Sequence, residues 1–191
     1  MTEGRVLVDG VDVREMTQKE VRSRLGYVPQ KGVLFSGTID SNIRYGKTDI
    51  SETEVKEAAE VAQATEFIDT KPEKYESPVS QGGTNVSGGQ KQRLSIARAI
   101  AKDPEIFIFD DSFSALDFKT DSQLRKALKE YTKDATTVIV AQRISTILGA
   151  DQIIVLDDGH MAGIGTHKEL MANCEVYQQI ARSQLSEEEL A

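Results

Sequence analysis

Asn85-Val86-Ser87-Gly88-Gly89-Gln90-Lys91-Gln92-Arg93, followed at a short distance by Ile106-Phe107-Ile108-Phe109-Asp110-Asp111, decides how this chain is read. Two adjacent glycines behind a serine let the backbone turn sharply with no Cβ in the way. Residues 90–100 then read as a helix. Its first amides, the Ser87 hydroxyl and the helix dipole face whatever lies in front, which makes an anion site, most naturally for a phosphate. Ser-Gly-Gly alone fits a plain helix N-cap with a flexible lead-in equally well. The apolar run 106–109 reads as a central parallel strand buried on both faces. It delivers Asp110 and Asp111 to its tip, and a phosphate-facing helix followed by an acid-tipped strand points to nucleotide chemistry.

Working outward, Val6 and Val8 alternate with polar neighbours, Asp9-Gly10 turns, and Val11 to Val13 returns as a hairpin. Residues 18–25 read as a short helix and 26–28 as a strand ended by Pro29, which places Gln30 at a strand C-terminus, the edge where α/β sheets bind ligands. Residues 37–46 form one or two helical turns with Ile39 and Ile43 on one side. Gly46-Lys47-Thr48 mimics the end of a Walker A phosphate loop, but Ser41 stands where that motif needs glycine and acidic residues follow where it needs an apolar helix. That reading is rejected, and no other stretch fits it. Ser51-Glu52-Thr53-Glu54 is a capping box opening a helix with Val55, Ala58, Ala59 and Ala62 on its apolar face. Residues 72–84 read as a loop.

Beyond the acid-tipped strand, residues 119–131 predict a helix facing inward through Leu124, Ala127, Leu128 and Tyr131, and 136–141 predict another buried strand. A helical turn at 144–149, a strand at 153–156, an Asp158-Gly159 hairpin to 161–164 and two closing helices near 167–172 and 176–183 complete the chain, ahead of a polar tail. Strand–helix alternation predicts an α/β fold with a mainly parallel sheet and flanking helices. Residues 38–90 read as a mostly helical lobe inserted into a core of 1–37 and 91–191.

The 191 residues suffice for one ordinary core with a small lobe. With 23 Lys plus Arg against 31 Asp plus Glu, the net charge of −8 argues against a nucleic-acid backbone as main partner. The single cysteine, Cys174, excludes an internal disulfide. No apolar run approaches the ~18–20 residues that span a bilayer. A start of Met1-Thr2-Glu3-Gly4 leading straight into a strand reads as a domain cut in mid-sheet.

Chemistry gathers at strand ends. An acid at the tip of an apolar strand, here Asp110, commonly holds Mg²⁺, and a neighbouring carboxylate, Asp111, can orient an attacking water. The strand 138–140 runs on to Gln142 at the same edge.

These residues together resemble the nucleotide-binding domain of ABC transporters, of the exporter type and with a P-loop NTPase-like core. Residues 85–90 look like the ABC signature, which implies that Ser87, Gly88, Gly89 and Gln90 bind nucleotide. Gln30 in Tyr27-Val28-Pro29-Gln30 resembles the Q-loop, implying contact with nucleotide and metal. Residues 106–110 match Walker B with Asp110 toward the metal, and Ser114-Ala115-Leu116-Asp117 matches the D-loop. Phe35 to Ile43 and Val140-Ala141-Gln142-Arg143-Ile144-Ser145-Thr146 match exporters. The resemblance covers essentially the whole chain, with the motifs in family order. It implies ATP and Mg²⁺ as cofactors, a transmembrane domain and a second nucleotide-binding domain as partners, and a place at the cytoplasmic face of the plasma membrane.

Departures from the family pattern are as informative as the matches. The Walker A loop and the adenine-stacking aromatic would lie before Met1, so these residues alone are expected not to hydrolyse ATP. The catalytic position after Walker B holds Asp111 in place of glutamate, one methylene shorter and so roughly 1.5 Å less in reach, although a base must come within hydrogen-bond distance of its water. The switch-loop histidine is Gln142, which donates a hydrogen bond but carries no charge. Gln81 replaces a glutamate usual before the signature. The losses fall on groups serving the chain's own ATP, while the signature, which serves the partner's ATP, is intact. The resemblance therefore implies a degenerate half of a heterodimeric exporter. The rivals are a soluble ABC-type ATPase acting on DNA or ribosomes, and a non-catalytic pseudo-domain.

Overall fold

Runs rich in aromatic and β-branched residues become strands, and three such runs align in parallel in the computed structural model, which describes residues 3–186. The chain divides into two compact units, 1–140 and 141–191. In the first, a small antiparallel hairpin, β1 (Leu7–Val8) with β2 (Val11–Asp12), precedes helix α1 (Gln18–Arg24) and strand β3 (Leu25–Val28). Then come β4 (Gly37–Thr38), α2 (Ile39–Ile43), α3 (Glu52–Val61), α4 (Thr65–Asp69) and β5 (Pro78–Val79), the last antiparallel to β4. Helix α5 (Gly88–Ala101), strand β6 (Ile106–Asp110), helix α6 (Phe118–Tyr131) and strand β7 (Thr136–Val140) close this unit. The parallel sheet runs β3-β6-β7, so the acid-tipped strand is its centre, as the apolar run predicts.

The helix starts follow from local chemistry. Thr17, Thr38, Ser51 and Ser87 each accept a hydrogen bond from the third residue of the helix they precede, whose own side chain bonds back. Helix α5 is the spine of the unit. Leu94, Ile96, Ala97, Ala99 and Ile100 are all buried, covering more than one side of the helix, and α2 and α3 pack along it. A helix apolar on several sides belongs inside.

Two expectations about burial fail. Strand β6 is not covered on both faces: Phe107 and Phe109 are buried, but Ile106 and Ile108 are only half-buried. Strand β7 is an edge strand and mostly exposed. The register explains both. Tyr27, Ile108 and Val138 are paired across the three strands and share one side of the sheet. Among the described residues of this unit that side is left largely open: Tyr27 is 55 %, Val138 47 % and Val140 52 % exposed. The residues 72–84 are also more ordered than a plain loop, containing β5 and two short 3-10 turns, Lys74–Glu76 and Gln81–Gly83.

The uncovered side has a measurable consequence. These 191 residues expressed alone are expected to bind a hydrophobic dye and to melt broadly, because apolar strand surface stays in water. A sharp, highly stable melt without dye binding would contradict this.

The second unit opens with α7 (Ile144–Ile147), then the hairpin β8 (Ile153–Asp157) and β9 (His160–Gly165), then α8 (His167–Asn173) and α9 (Glu175–Gln184). Ile153, Val155, Leu170, Tyr177 and Ala181 form its own small core. The polar tail lies partly outside the described residues. Among the described residues no helix is long and apolar enough to cross a membrane.

Candidate functional site

Helix α5 presents its N-terminus to solvent, and the geometry there differs from the sharp glycine turn that the sequence suggests. Neither Gly88 nor Gly89 has a positive φ; both are helical residues of the first turn. Ser87 precedes them as the cap. Its Oγ accepts from the Gln90 amide (3.2 Å), and the Gln90 carboxamide accepts from the Ser87 amide (3.1 Å). As the first two residues of the helix, Gly88 and Gly89 have amides without an intrahelical acceptor. A Cβ on Gly88 would meet nothing within 4 Å, whereas one on Gly89 would lie 3.4 Å from the Ala115 carbonyl oxygen. The missing side chains thus leave the front of the helix bare on one side and closely packed on the other. Asn85 is drawn into the lead-in, accepting from the Ser80 amide (2.9 Å) and donating to the Pro78 carbonyl (2.8 Å).

At the C-terminal tip of β6 the two carboxylates take different partners. Asp110 accepts a hydrogen bond from the Tyr27 hydroxyl (3.0 Å), a bond that raises the tyrosine pKa. Asp111 accepts from the Gln30 carboxamide nitrogen (3.0 Å), so the strand-end glutamine and the second acid meet. Asp111 has a left-handed backbone, φ +44°, and its amide donates to the Val140 carbonyl (2.9 Å). Aspartate tolerates that conformation better than most residues, which suits it to sharp exits from strands. Ser114 donates to the Asp111 carbonyl (3.0 Å), folding the next segment under the strand tip. Asp117 caps α6, accepting from the amide and the hydroxyl of Thr120; these bonds hold its carboxyl below the usual range. Residues 114–117 therefore link the strand tip to the packed side of Gly89.

Gln142 belongs to the second unit. Its carbonyl accepts from the Gln184 side chain (2.9 Å), and the other end of that carboxamide accepts from the Ile144 amide (2.9 Å). Helix α9 thereby pins the segment that carries Gln142.

Three further side chains, not picked out by sequence, shape the first unit. Gln92 is 2 % exposed and donates to the Pro29 carbonyl (3.1 Å) while accepting from the Gly32 amide (2.9 Å). Arg98 donates to the carbonyls of Asn42 and Val33 and to the Asn42 side chain, each at 2.8 Å. It also lies over the stacked rings of Phe35 and Tyr45, and burial lowers its pKa. Asn42 in turn bonds the backbone of Phe35 and Thr38. The only sequence signal for these residues is a polar residue at a core-facing helix position, which does not say what it holds.

The donor set near Gln30 suits a hard cation. Among the described residues no group of three or more His, Cys, Asp or Glu side chains could hold a metal. Asp110 and Gln30, however, offer oxygens at one sheet edge, and the Gln30 nitrogen is already engaged by Asp111. One or two protein oxygens completed by substrate phosphates is the pattern Mg²⁺ takes.

Known proteins resemble this chain over nearly its whole length. A family model described as ABC transporter matches residues 1–114. An uncharacterized ABC transporter ATP-binding protein of Mycobacterium tuberculosis (strain H37Rv) is 48% identical over 187 residues, 96% of this chain and 32% of that protein. A putative multidrug export ATP-binding/permease protein of Bacillus subtilis (strain 168) is 46% identical over 171 residues, 90% of this chain and 30% of that protein. The solved structure of a bacterial Atm1-family ABC exporter with ATP bound superposes with a TM-score of 0.93 at 40% identity, over 97% of this chain and 33% of that one. The chain thus spans about a third of the length of the relatives it matches.

Proposed function

The chain belongs to the ABC transporter family, and we propose that it is part of the nucleotide-binding domain of an exporter. In this reading it works at the cytoplasmic face of the plasma membrane with ATP and Mg²⁺, a transmembrane domain and a second nucleotide-binding domain. We assign residues 1–37 and 91–191 to the core of that domain and residues 38–90 to its helical subdomain. The observation that carries the proposal is the bare N-terminus of α5, with Gly88 open to solvent and Ser87 capping the helix, in the same unit as a sheet edge where Gln30 and Asp111 meet. The relative described as a multidrug export ATP-binding/permease protein and the ATP-bound exporter structure support it.

The chemistry follows from donors and acceptors. The Ser87 oxygen accepts from Gln90 and keeps its own hydrogen for a phosphate oxygen. The free amides of Gly88 and Gly89 and the positive end of a 14-residue helix add to that attraction. These groups act on the nucleotide cradled by the second domain. Asp110 and Gln30 would hold Mg²⁺, which when bound neutralises phosphate charge. Asp111 would orient the attacking water at the chain's own site, but its short side chain is engaged by Gln30. Gln142 would donate to the γ-phosphate as a neutral group. Both substitutions weaken this site, so the chain serves as the degenerate half of a heterodimer, with turnover mainly at the site completed by its signature.

In the assembled heterodimer, Asp111→Glu combined with Gln142→His is expected to raise ATP turnover. No change counts against degeneracy. The full-length protein as a homodimer is expected to turn over slowly. Vigorous turnover that collapses on Asp111→Asn would overturn the assignment.

A further inference from the structure

Gln92 is buried, and both ends of its carboxamide are spent on the backbone of a segment some sixty residues away in sequence. It donates to Pro29 and accepts from Gly32, gripping the loop on either side of Gln30. The grip is close. A Cβ on Gly32 would come within 2.8 Å of the Ser95 hydroxyl and 3.0 Å of the Gln92 oxygen, so only glycine lets the loop lie against α5. Gln92 lies one turn beyond the Ser87–Gln90 start of that helix. Between the two gripped positions, Gln30 reaches Asp111 at 3.0 Å.

We propose that Gln92 is a positioning residue, fixing the Gln30 loop to the helix that carries Ser87 and Gly88. The proposal rests on the nucleotide-site reading above and extends it. The two phosphate-facing parts of the unit are joined through one buried carboxamide. A buried amide with both ends satisfied is rigid, and losing either bond leaves an unpaired backbone group behind. Gln30 is then presented to metal and nucleotide at a setting dictated by α5. A displacement of the helix start carries the metal-side glutamine with it.

Two variants separate this from a merely structural role, both made in the full-length protein with its partner. Gln92→Met keeps the volume and removes both bonds. Gln92→Glu keeps the acceptor for Gly32 and loses the donor to Pro29. Amide hydrogen exchange of the nucleotide-free protein is expected to speed up about tenfold or more at residues 30–33 in Gln92→Met. The increase should be smaller in Gln92→Glu, with residues 94–101 and 106–110 unchanged. The Mg²⁺ concentration giving half-maximal ATP binding at the chain's own site should rise severalfold in Gln92→Met, and the same change should add nothing in a Gln30→Ala background. Uniform loosening of α5, effects that add in the double variant, or failure of both variants to fold would each show Gln92 to be structural only and overturn the proposal. If Gln30→Ala itself leaves the Mg²⁺ dependence unmoved, the nucleotide-site reading falls instead, and local exchange at 30–33 alone decides whether the clamp exists.

Discussion

Replacing Gly88 with alanine is expected to leave folding intact, or slightly strengthened, while lowering ATP turnover of the assembled transporter by about 10- to 100-fold. Alanine at a helical position with negative φ is favoured over glycine by roughly 0.5–1 kcal/mol. The new Cβ would meet nothing in the chain within 4 Å. Any penalty must come from something brought against the helix start from outside, and inserting a methyl group into a packed contact typically costs about 1–3 kcal/mol. Ser87→Ala is a less clean test, because it also removes the cap of α5, worth about 1 kcal/mol. The measurement pairs a thermal melt with turnover. A variant that is stable and fully active would mean that this surface approaches nothing during the cycle.

Arg98→Met is expected to be the most destabilising change outside the apolar core, costing about 3 kcal/mol or more. Three hydrogen bonds from one guanidinium hold Val33 and Asn42, and among the described residues no carboxylate pairs with it. Hydrogen bonds to a charged donor contribute roughly 1.5–3 kcal/mol, and acceptors left unpaired in the interior add a penalty. Methionine keeps the stem packed on α5 but abandons those carbonyls and the rings of Phe35 and Tyr45. Arg98→Lys should recover only part of the loss, since an ammonium cannot match the planar fork. Denaturant titration of the full-length protein checks both. A loss below about 1 kcal/mol for Arg98→Met would show that water replaces the side chain readily.

Much of the fold is legible where local chemistry and periodicity agree. The capping residues and apolar spacing of α3 locate it to within a residue, and the Asp158-Gly159 hairpin appears where its turn signal lies. Signals that depend on distant partners are not legible. An unbroken apolar run predicts burial on both faces, yet burial of β6 depends on what covers each side of the sheet, and Ile106 and Ile108 carry no mark of that. Likewise Ser-Gly-Gly fits a turn or a helix start, and the Ser87–Gln90 capping box selects the helix. At the site, strand-end acids and the Gln30 position follow from edge logic. The Gln30–Asp111 bond, the left-handed Asp111 and the clamps of Gln92 and Gln184 are long-range geometry, which residue types do not encode one by one.

The capping box of α5 also bears on what natural selection preserves at this helix start. Ser87 and Gln90 cap the helix reciprocally, so folding alone favours their retention even in a lineage whose nucleotide chemistry has decayed. Gly88 has no such protection. Its backbone is ordinary helix, its surroundings are empty, and drift under selection for folding would replace it with a better helix former. Folding does not account for a glycine at this position; use of the surface it leaves bare does.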